Sequence, residues 1–288
     1  RKVYNTNFKL EPKGDIKEIS NEEIPKHDIL CAGFPCQTFS ISGNQAGFDD
    51  EKTGTLFFEI IRIAEYHKPK IILLENVANL NTHNEGKTIK IITNALEKIG
   101  YRVYKDILNS ADYNVPQARR RLYIIAFRQD FKANKFDFPK KITLRKNLES
   151  ILENANIENI QDYIINRDYK LRNEYKKLEN SCKKPYIRIG EIGLGRQGER
   201  IYSIKGCAIT LSSAGGGLGG RTGIYLVNNL IRKLTPRECA RLMGFPNNFK
   251  IAEKPNQAYK QFGNSVVVDV LQRIIIEVIK SSKEDNHE

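Results

Sequence analysis

The sequence predicts an α/β fold built on a mainly parallel sheet, with a second, smaller β-rich unit after it. Three observations carry that reading. Short apolar runs of strand character alternate with stretches of helical periodicity through the first half of the chain. The helical stretches are long enough to act as crossovers between parallel strands. After about Lys141 the composition shifts, first to Asn, Lys, Glu and Tyr, then to glycine with short alternating runs.

Taken in order, Asp28-Ile29-Leu30-Cys31-Ala32-Gly33 forms a short buried strand that runs into a Gly/Pro loop at Gly33-Phe34-Pro35. Leu56 to Tyr66 has apolar residues at helical spacing and gives way to Lys68-Pro69-Lys70. Ile71-Ile72-Leu73-Leu74 is a strand that stops at Glu75-Asn76. A second helical pattern runs from Thr88 to Ile99 and ends at Gly100. Tyr101 to Leu108 and Leu122 to Phe127 are two further strands. Residues 145–185 form helical or connecting segments, and Ile187 to Val227 form short strands with long loops. Thr235 is an N-cap with Pro236 in the first turn, and Gly244 ends that helix. Val266 to Ile279 is apolar enough to be a core helix.

Composition narrows the function classes. Of 288 residues, 47 are Lys or Arg and 34 Asp or Glu, a formal charge of +13. That surplus sets a prior for a polyanionic partner, through phosphate neutralisation, although a solvated basic surface would look the same. At 40% hydrophobic residues the chain suits a globular protein; no apolar run would span a bilayer, and no leader pattern is present. The five cysteines form no CxxC pair and no metal-ligand spacing, so neither a disulfide framework nor a zinc site is expected. The expectation is a soluble intracellular protein.

In parallel sheets, ligands collect at the carboxyl ends of strands, so the polar residues there are candidates. Cys36 follows Pro35 at one such exit, and a loop stiffened by proline could hold a thiolate nucleophile. The alternative is a small packed hydrophobe, the role expected of Cys31, Cys182, Cys207 and Cys239. Glu75 directly follows an apolar strand, where partial burial would raise a carboxyl pKa, though a helix N-cap or surface turn fits equally well. In Gln117-Ala118-Arg119-Arg120-Arg121, strand alternation places Arg119 and Arg121 on one face, able to grip a carbonyl, carboxylate or phosphate.

Pro-Cys-Gln at 35–37, Glu-Asn-Val at 75–77 and Gln-x-Arg-x-Arg at 117–121 occur in one order. Arg232 to Arg241 (RKLTPRECAR) with Gly244-Phe245-Pro246, and Gln261-Phe262-Gly263-Asn264-Ser265-Val266, continue it. Together these blocks resemble the cytosine-5 DNA methyltransferase family, and they span nearly the whole chain. The likeness extends through His27 to Ser42 and Gly195 to Ser203 toward family members that recognise GCGC. Ser213-Ala214 departs from them, because those members carry alanine and tyrosine before the triple glycine.

The resemblance implies a Rossmann-like methyltransferase domain that uses S-adenosylmethionine and no metal. It implies a catalytic domain over 1–150, a small β-rich target-recognition domain over 151–235, and a hinge helix returning to the catalytic domain over 236–288. Cys36 would attack cytosine C6 and Glu75 would hold the N3 and N4 edge of the base. Arg119 would sit on its O2 side, with Arg121 fixing the pocket. Asp15, Ile16, Pro35, Leu56, Asn264, Ser265 and Val266 would contact the cofactor. The target base must leave the duplex, with Gln197 and Ser42 entering the gap and the loop Ser40–Gly54 closing over the double-stranded DNA. Arg200 would read a guanine edge with Tyr202 beside it, and a surface ion pair with Glu199 is the rival reading for Arg200. The glycines at 215–220 would allow close approach to DNA. A bacterial restriction–modification role, cytoplasmic and at the nucleoid, follows from the same likeness.

One departure is larger. Members of the family open with a Phe-x-Gly-x-Gly-Gly turn and an acidic residue about twenty positions on, and this sequence shows neither. The fold is therefore expected to be N-terminally incomplete. The chain would be a fragment, or a subunit completed by a separate N-terminal polypeptide, and in the second case a DNA-binding component inactive alone.

Overall fold

The computed structural model describes residues 1–35, 56–133, 135–154, 160–181 and 185–282. Its elements in order are α1 (Lys2–Phe8), β1 (Ile29–Gly33), α2 (Leu56–His67), β2 (Ile71–Val77), α3 (Lys87–Lys98), β3 (Tyr101–Asn109), β4 (Gln117–Ala118) and β5 (Arg120–Arg128). There follow β6 (Tyr169–Leu171), α4 (Tyr175–Ser181), β7 (Arg188–Ile192), β8 (Arg200–Ser203), β9 (Ala208–Ile209), β10 (Ile224–Val227) and β11 (Leu230–Arg232). Three helices close the chain: α5 (Pro236–Leu242), α6 (Pro255–Asn264) and α7 (Val268–Ser282).

The chain divides into two compact units. One comprises Arg1–Glu11, Asn109–Arg119 and Pro139–Ile275, and the other Pro12–Leu108, Arg120–Phe138 and Ile276–Glu288. These units cut across the 1–150, 151–235 and 236–288 division, since residues 109–119 and 139–150 group with the chain up to 275.

The second-named unit holds a four-stranded sheet in the order β1-β2-β5-β3. β1 and β2 run parallel, with Gly33 opposite Glu75, but β2 and β5 run antiparallel, with Glu75 opposite Tyr123 and Val77 opposite Arg121. The sheet is thus mixed rather than mainly parallel. Apolar periodicity marks a strand without marking its direction, and β5 enters between β2 and β3. Its six apolar residues Leu122 to Phe127 are all buried, as a strand covered on both faces requires. Phe57, Ile60 and Ala64 of α2 and Ile92 and Leu96 of α3 pack into one core with Ile72, Leu74, Leu122 and Ile124.

Two expectations about burial change. β1 is an edge strand, not a buried one: Ile29 is 43% exposed and Cys31 is exposed. Cys207 and Cys239 do lie in the core, where burial pushes the Cys207 thiol up to about 12 and that of Cys239 well above its ordinary range. In α7, Val270, Ile274 and Val278 are buried at i, i+4 spacing while Ile276 and Ile279 are half exposed, so only one face is core. β2 also outruns its apolar residues and includes Glu75, Asn76 and Val77.

The first-named unit carries a five-stranded sheet in the order β11-β10-β8-β7-β6. β10 and β11 form a hairpin whose two-residue turn, Asn228-Asn229, has both φ angles positive (50° and 64°), a turn chemistry that asparagine tolerates. At α5, Thr235 caps the backbone N–H of Glu238, and Glu238 caps that of Thr235 in return. The Glu238 carboxylate, fully buried, also takes a bidentate pair of bonds from Arg232 at 2.8 and 2.7 Å and one from the Glu153 N–H at 2.9 Å.

A buried ion pair broken on one side leaves an uncompensated charge that costs about 3–5 kcal/mol. Arg232→Met is therefore expected to lower the Tm by roughly 10 °C, and Arg232→Met/Glu238→Gln to recover part of that loss. Thermal unfolding followed by circular dichroism measures both.

Candidate active site

The carboxyl ends of β1 and β2 and the start of β5 converge on one site within a single unit. β1 delivers the chain to Phe34 and Pro35, directly before Cys36; Cys36, Ser42 and the loop Ser40–Gly54 lie outside the described residues. Phe34 is buried against Phe57, with ring centroids 5.4 Å apart. Its carbonyl accepts a 2.7 Å bond from the side-chain amide of Asn76, itself 5% exposed. The exit of β1 is thereby fixed from below by a ring and from the side by an amide.

Glu75 and Arg121 face each other diagonally across the β2–β5 ladder, and Arg121 Nε lies 3.0 Å from Glu75 Oε1. Both side chains are about one-seventh exposed, 14% and 15%. Burial pulls the Arg121 guanidinium down from its ordinary value, and the Glu75 charge opposes that pull, so the arginine stays protonated near neutrality. A second Arg121 nitrogen, Nη1, donates to the Arg120 carbonyl at 2.8 Å. The arrangement holds a carboxylate in one orientation at the mouth of the β1 exit, suited to accepting hydrogen bonds from a planar base.

Arg119 takes a different part from the one strand alternation predicts. Its N–H bonds to the Gln117 carbonyl at 3.1 Å, a tight turn that separates β4 from β5 and breaks the two-residue period. The side chain is 2% exposed and donates to the carbonyls of Leu211 (2.9 Å), Gly263 (3.0 Å) and Ser265 (2.8 Å). It thus ties three backbone segments together. Gln117, fully buried, adds a bond from the Leu211 N–H to its Oε1 at 3.1 Å. At Gly263 a Cβ would lie 2.2 Å from the Ser213 nitrogen, so only glycine permits that approach.

The predicted DNA-contacting residues also sort themselves. Gln197 is exposed in a 3-10 turn, Gln197–Glu199, and Arg200 is half buried with Nε donating to the Gly195 carbonyl at 3.3 Å. Glu199 accepts from the Arg196 N–H at 2.9 Å. Tyr202 is 5% exposed, with its ring 5.8 Å from Tyr186 and 6.1 Å from Tyr225, so it packs against its own unit. The glycine segment folds on itself and onto the Gln197 turn. A Cβ on Gly215 would collide with Gly220 and one on Gly198 would lie 2.8 Å from the Gly216 carbonyl, while Gly219 N–H donates to Gly198 O at 2.9 Å. These glycines make room for the chain itself.

The expected cofactor contacts fall in two groups. Asp15 caps a 3-10 turn, Ile16–Glu18, through the Lys17 N–H at 3.1 Å, and Arg62 of α2 ties the turn down by donating to the Ile16 carbonyl at 3.1 Å. Asp15 and Pro35 are exposed, and Ile16 and Leu56 half exposed, so a carboxylate and apolar faces are available. Such a donor set fits an adenine ring and its amino group. Asn264, Ser265 and Val266, at the end of α6 and beyond it, belong to the other unit; Asn264 is exposed and the Ser265 carbonyl is occupied by Arg119. Among the described residues no group of three or more His, Cys, Asp or Glu side chains could hold a metal ion. No helix among them is long and apolar enough to cross a membrane.

The mixed sheet and its strand-end carboxylate–arginine pair place the chain in the structural class of the α/β methyltransferases. The S. pombe Dnmt2 methyltransferase superposes with a TM-score of 0.67 at 20% identity, over 96% of this chain and 86% of that one. The sequence model of the C-5 cytosine-specific DNA methylases matches residues 1–280, and the chain belongs to that family of S-adenosylmethionine-dependent DNA (cytosine-5-)-methyltransferases. It is similar to the type II methyltransferase M.HhaI of Haemophilus parahaemolyticus, 47% identical over 275 residues, 95% of this chain and 82% of that protein. It is also similar to M.HaeII of Haemophilus aegyptius, 42% identical over 283 residues, 97% of this chain and 82% of the other. These comparisons lend no support to a separate N-terminal polypeptide.

Sequence reasoning missed Asn76, whose amide positions the β1 exit. The signal was available, because a polar residue inside a buried strand must find a partner.

Arg119→Lys is expected to lose about 3 kcal/mol of stability, since one ammonium nitrogen cannot occupy the positions of the two guanidinium nitrogens that reach the Leu211, Gly263 and Ser265 carbonyls. Arg121→Lys keeps a positive charge beside Glu75 and is expected to cost less stability than Arg119→Lys, and to lower kcat at least tenfold. Urea unfolding and steady-state methylation of the same two variants check the contrast.

Proposed function

We propose that the chain methylates C5 of a flipped-out cytosine in a specific duplex site, GCGC-like, as the protective half of a bacterial restriction–modification pair. The observation that carries this reading is the Glu75–Arg121 pair at 3.0 Å beside the Asn76-held exit that leads into Cys36.

Cytosine C5 is a poor nucleophile in the aromatic ring. The Cys36 thiolate adds to C6, and the displaced electron pair makes C5 enamine-like. Glu75 holds the N3 and N4 edge of the base and supports the charge shift there. Arg121 keeps that carboxylate in register and faces the O2 side, the role first expected of Arg119, whose donors are committed to Leu211, Gly263 and Ser265. S-adenosylmethionine, when bound, supplies an electrophilic methyl group that C5 takes. Loss of the C5 proton and release of Cys36 then restore aromaticity. Asp15, Ile16, Pro35 and Leu56, with Asn264 to Val266, are the residues assigned to holding it. The base must be unstacked first, at a cost of a few kcal/mol. Gln197, exposed on a turn braced by the glycine segment, and Ser42 are assigned to the gap left in the duplex. Arg200 is assigned to a guanine edge, which a guanidinium recognises with two hydrogen bonds.

The enzyme is expected to form a covalent complex with a GCGC duplex carrying 5-fluorocytosine, and Cys36→Ser to abolish it. Glu75→Gln should lower kcat by about 10²- to 10³-fold. Denaturing gel electrophoresis of the trapped complex and transfer of radiolabelled methyl groups measure these outcomes; methyl groups found on adenine would overturn the reading.

A further inference from the structure

At the opposite end of β1 and β2 from Glu75, roughly 16 Å away along β2, a cleft of about 670 Å³ opens between the start of β1, the end of α2 and the end of β5. Lys26, Lys68, Lys70 and Arg128 line it, with the imidazoles of His27 and His67 between them. All belong to one compact unit. Two carboxylates offset part of this charge: Asp28 lies 3.1 Å from Lys70 Nζ, and Asp130 bonds to Arg128 Nε. Among the described residues, Lys26 and Lys68 have no such ion pair.

The turn that carries two of these lysines is fixed through its backbone. Lys68 sits at φ 48°, a left-handed conformation that strains a lysine. Arg128 donates from its guanidinium to the Lys68 carbonyl and from its backbone N–H to the Lys70 carbonyl at 2.9 Å. Between them, the Pro69 carbonyl accepts a 2.7 Å bond from the buried Tyr101 hydroxyl. The turn Lys68-Pro69-Lys70 is therefore bonded at three successive carbonyls and keeps two ammonium-bearing residues on one cleft. Lys68 ends α2 in the left-handed cap conformation, its N–H donating to the Ala64 carbonyl at 3.0 Å, and the like charges gathered around this fixed turn suit a multivalent anion.

We propose that this cleft binds a phosphate-bearing anion through Lys26, Lys68 and Lys70, at a site distinct from the cytosine site. The charge and volume suit two adjacent phosphates. Either free pyrophosphate-like groups or the backbone of a nucleic acid could supply them, and the chemistry of recognition is the same.

The test uses the full chain and pyrophosphate in isothermal titration calorimetry at low salt. One saturable site per chain is expected. Lys68→Asn/Lys70→Gln should weaken it at least tenfold. Asparagine tolerates the left-handed turn, so the Tm without ligand should hold or rise, which separates lost binding from lost folding. Methylation of a GCGC duplex by this variant should be unchanged. If a non-specific single-stranded oligonucleotide displaces pyrophosphate from the wild-type chain, the source is a nucleic-acid backbone; if it does not, the ligand is a free oligophosphate. Absence of saturable binding, or equal affinity in wild type and variant, overturns the proposal, and either result leaves the cytosine reading untouched.

Discussion

The candidate site depends on the placing of one strand. β2 runs parallel to β1 on one side and antiparallel to β5 on the other. Its last three residues therefore meet the exit of β1 and the entry of β5 at the same end of the sheet. Asn76 reaches the Phe34 carbonyl, and Glu75 reaches Arg121. Had β5 paired parallel to β2, its opening arginines would have lain at the far end of the strand, with no partner for Glu75. The packing of Ile72 and Leu74 into one core with residues of α2 and α3 favours this register, because a slip of one residue would turn Glu75 to the other face.

The other unit depends on a different constraint, that buried carbonyls and carboxylates must find donors. Arg119 answers for Leu211, Gly263 and Ser265, and Arg232 with Thr235 and Glu153 satisfies Glu238. Both clusters join segments that are far apart in sequence. The close approaches of Gly263 to Ser213 and of Gly198 to Gly216 belong to the same logic, since each removes a Cβ to let two backbones meet. The exposed Gln197 and half-buried Arg200 lie on or next to β8, whose Tyr202 is buried between the rings of the exposed Tyr186 and the buried Tyr225.

Much of this was legible in residue patterns. The helices at Leu56–His67 and Lys87–Lys98 follow from 3.6-residue periodicity, and the α5 start at Thr235-Pro236 from its capping chemistry. Glu75 was a candidate because it directly follows an apolar strand, with a cap or a surface turn as an equal alternative on that segment alone, and the order of motifs carried the family. What failed were readings that extend a local period through a break. The tight turn between Gln117 and Arg119 moved Arg119 away from Arg121, and strand alternation cannot register such a turn. The burial of Tyr202 was hidden in the same way, because its position in an alternating run does not reveal the two rings beside it.

The sequence by itself determined the elements, the family and the chemical types at the site, because periodicity, capping and motif order are local properties of the chain. Only the tertiary structure decided strand direction, the division of labour between Arg119 and Arg121, the role of Asn76, and the gathering of Lys26, Lys68, Lys70 and Arg128 around one cleft. These are outcomes of pairings between residues up to 146 positions apart (Arg119 and Ser265 most widely), set by which faces are buried and which carbonyls need a donor. No pattern read along the chain encodes them.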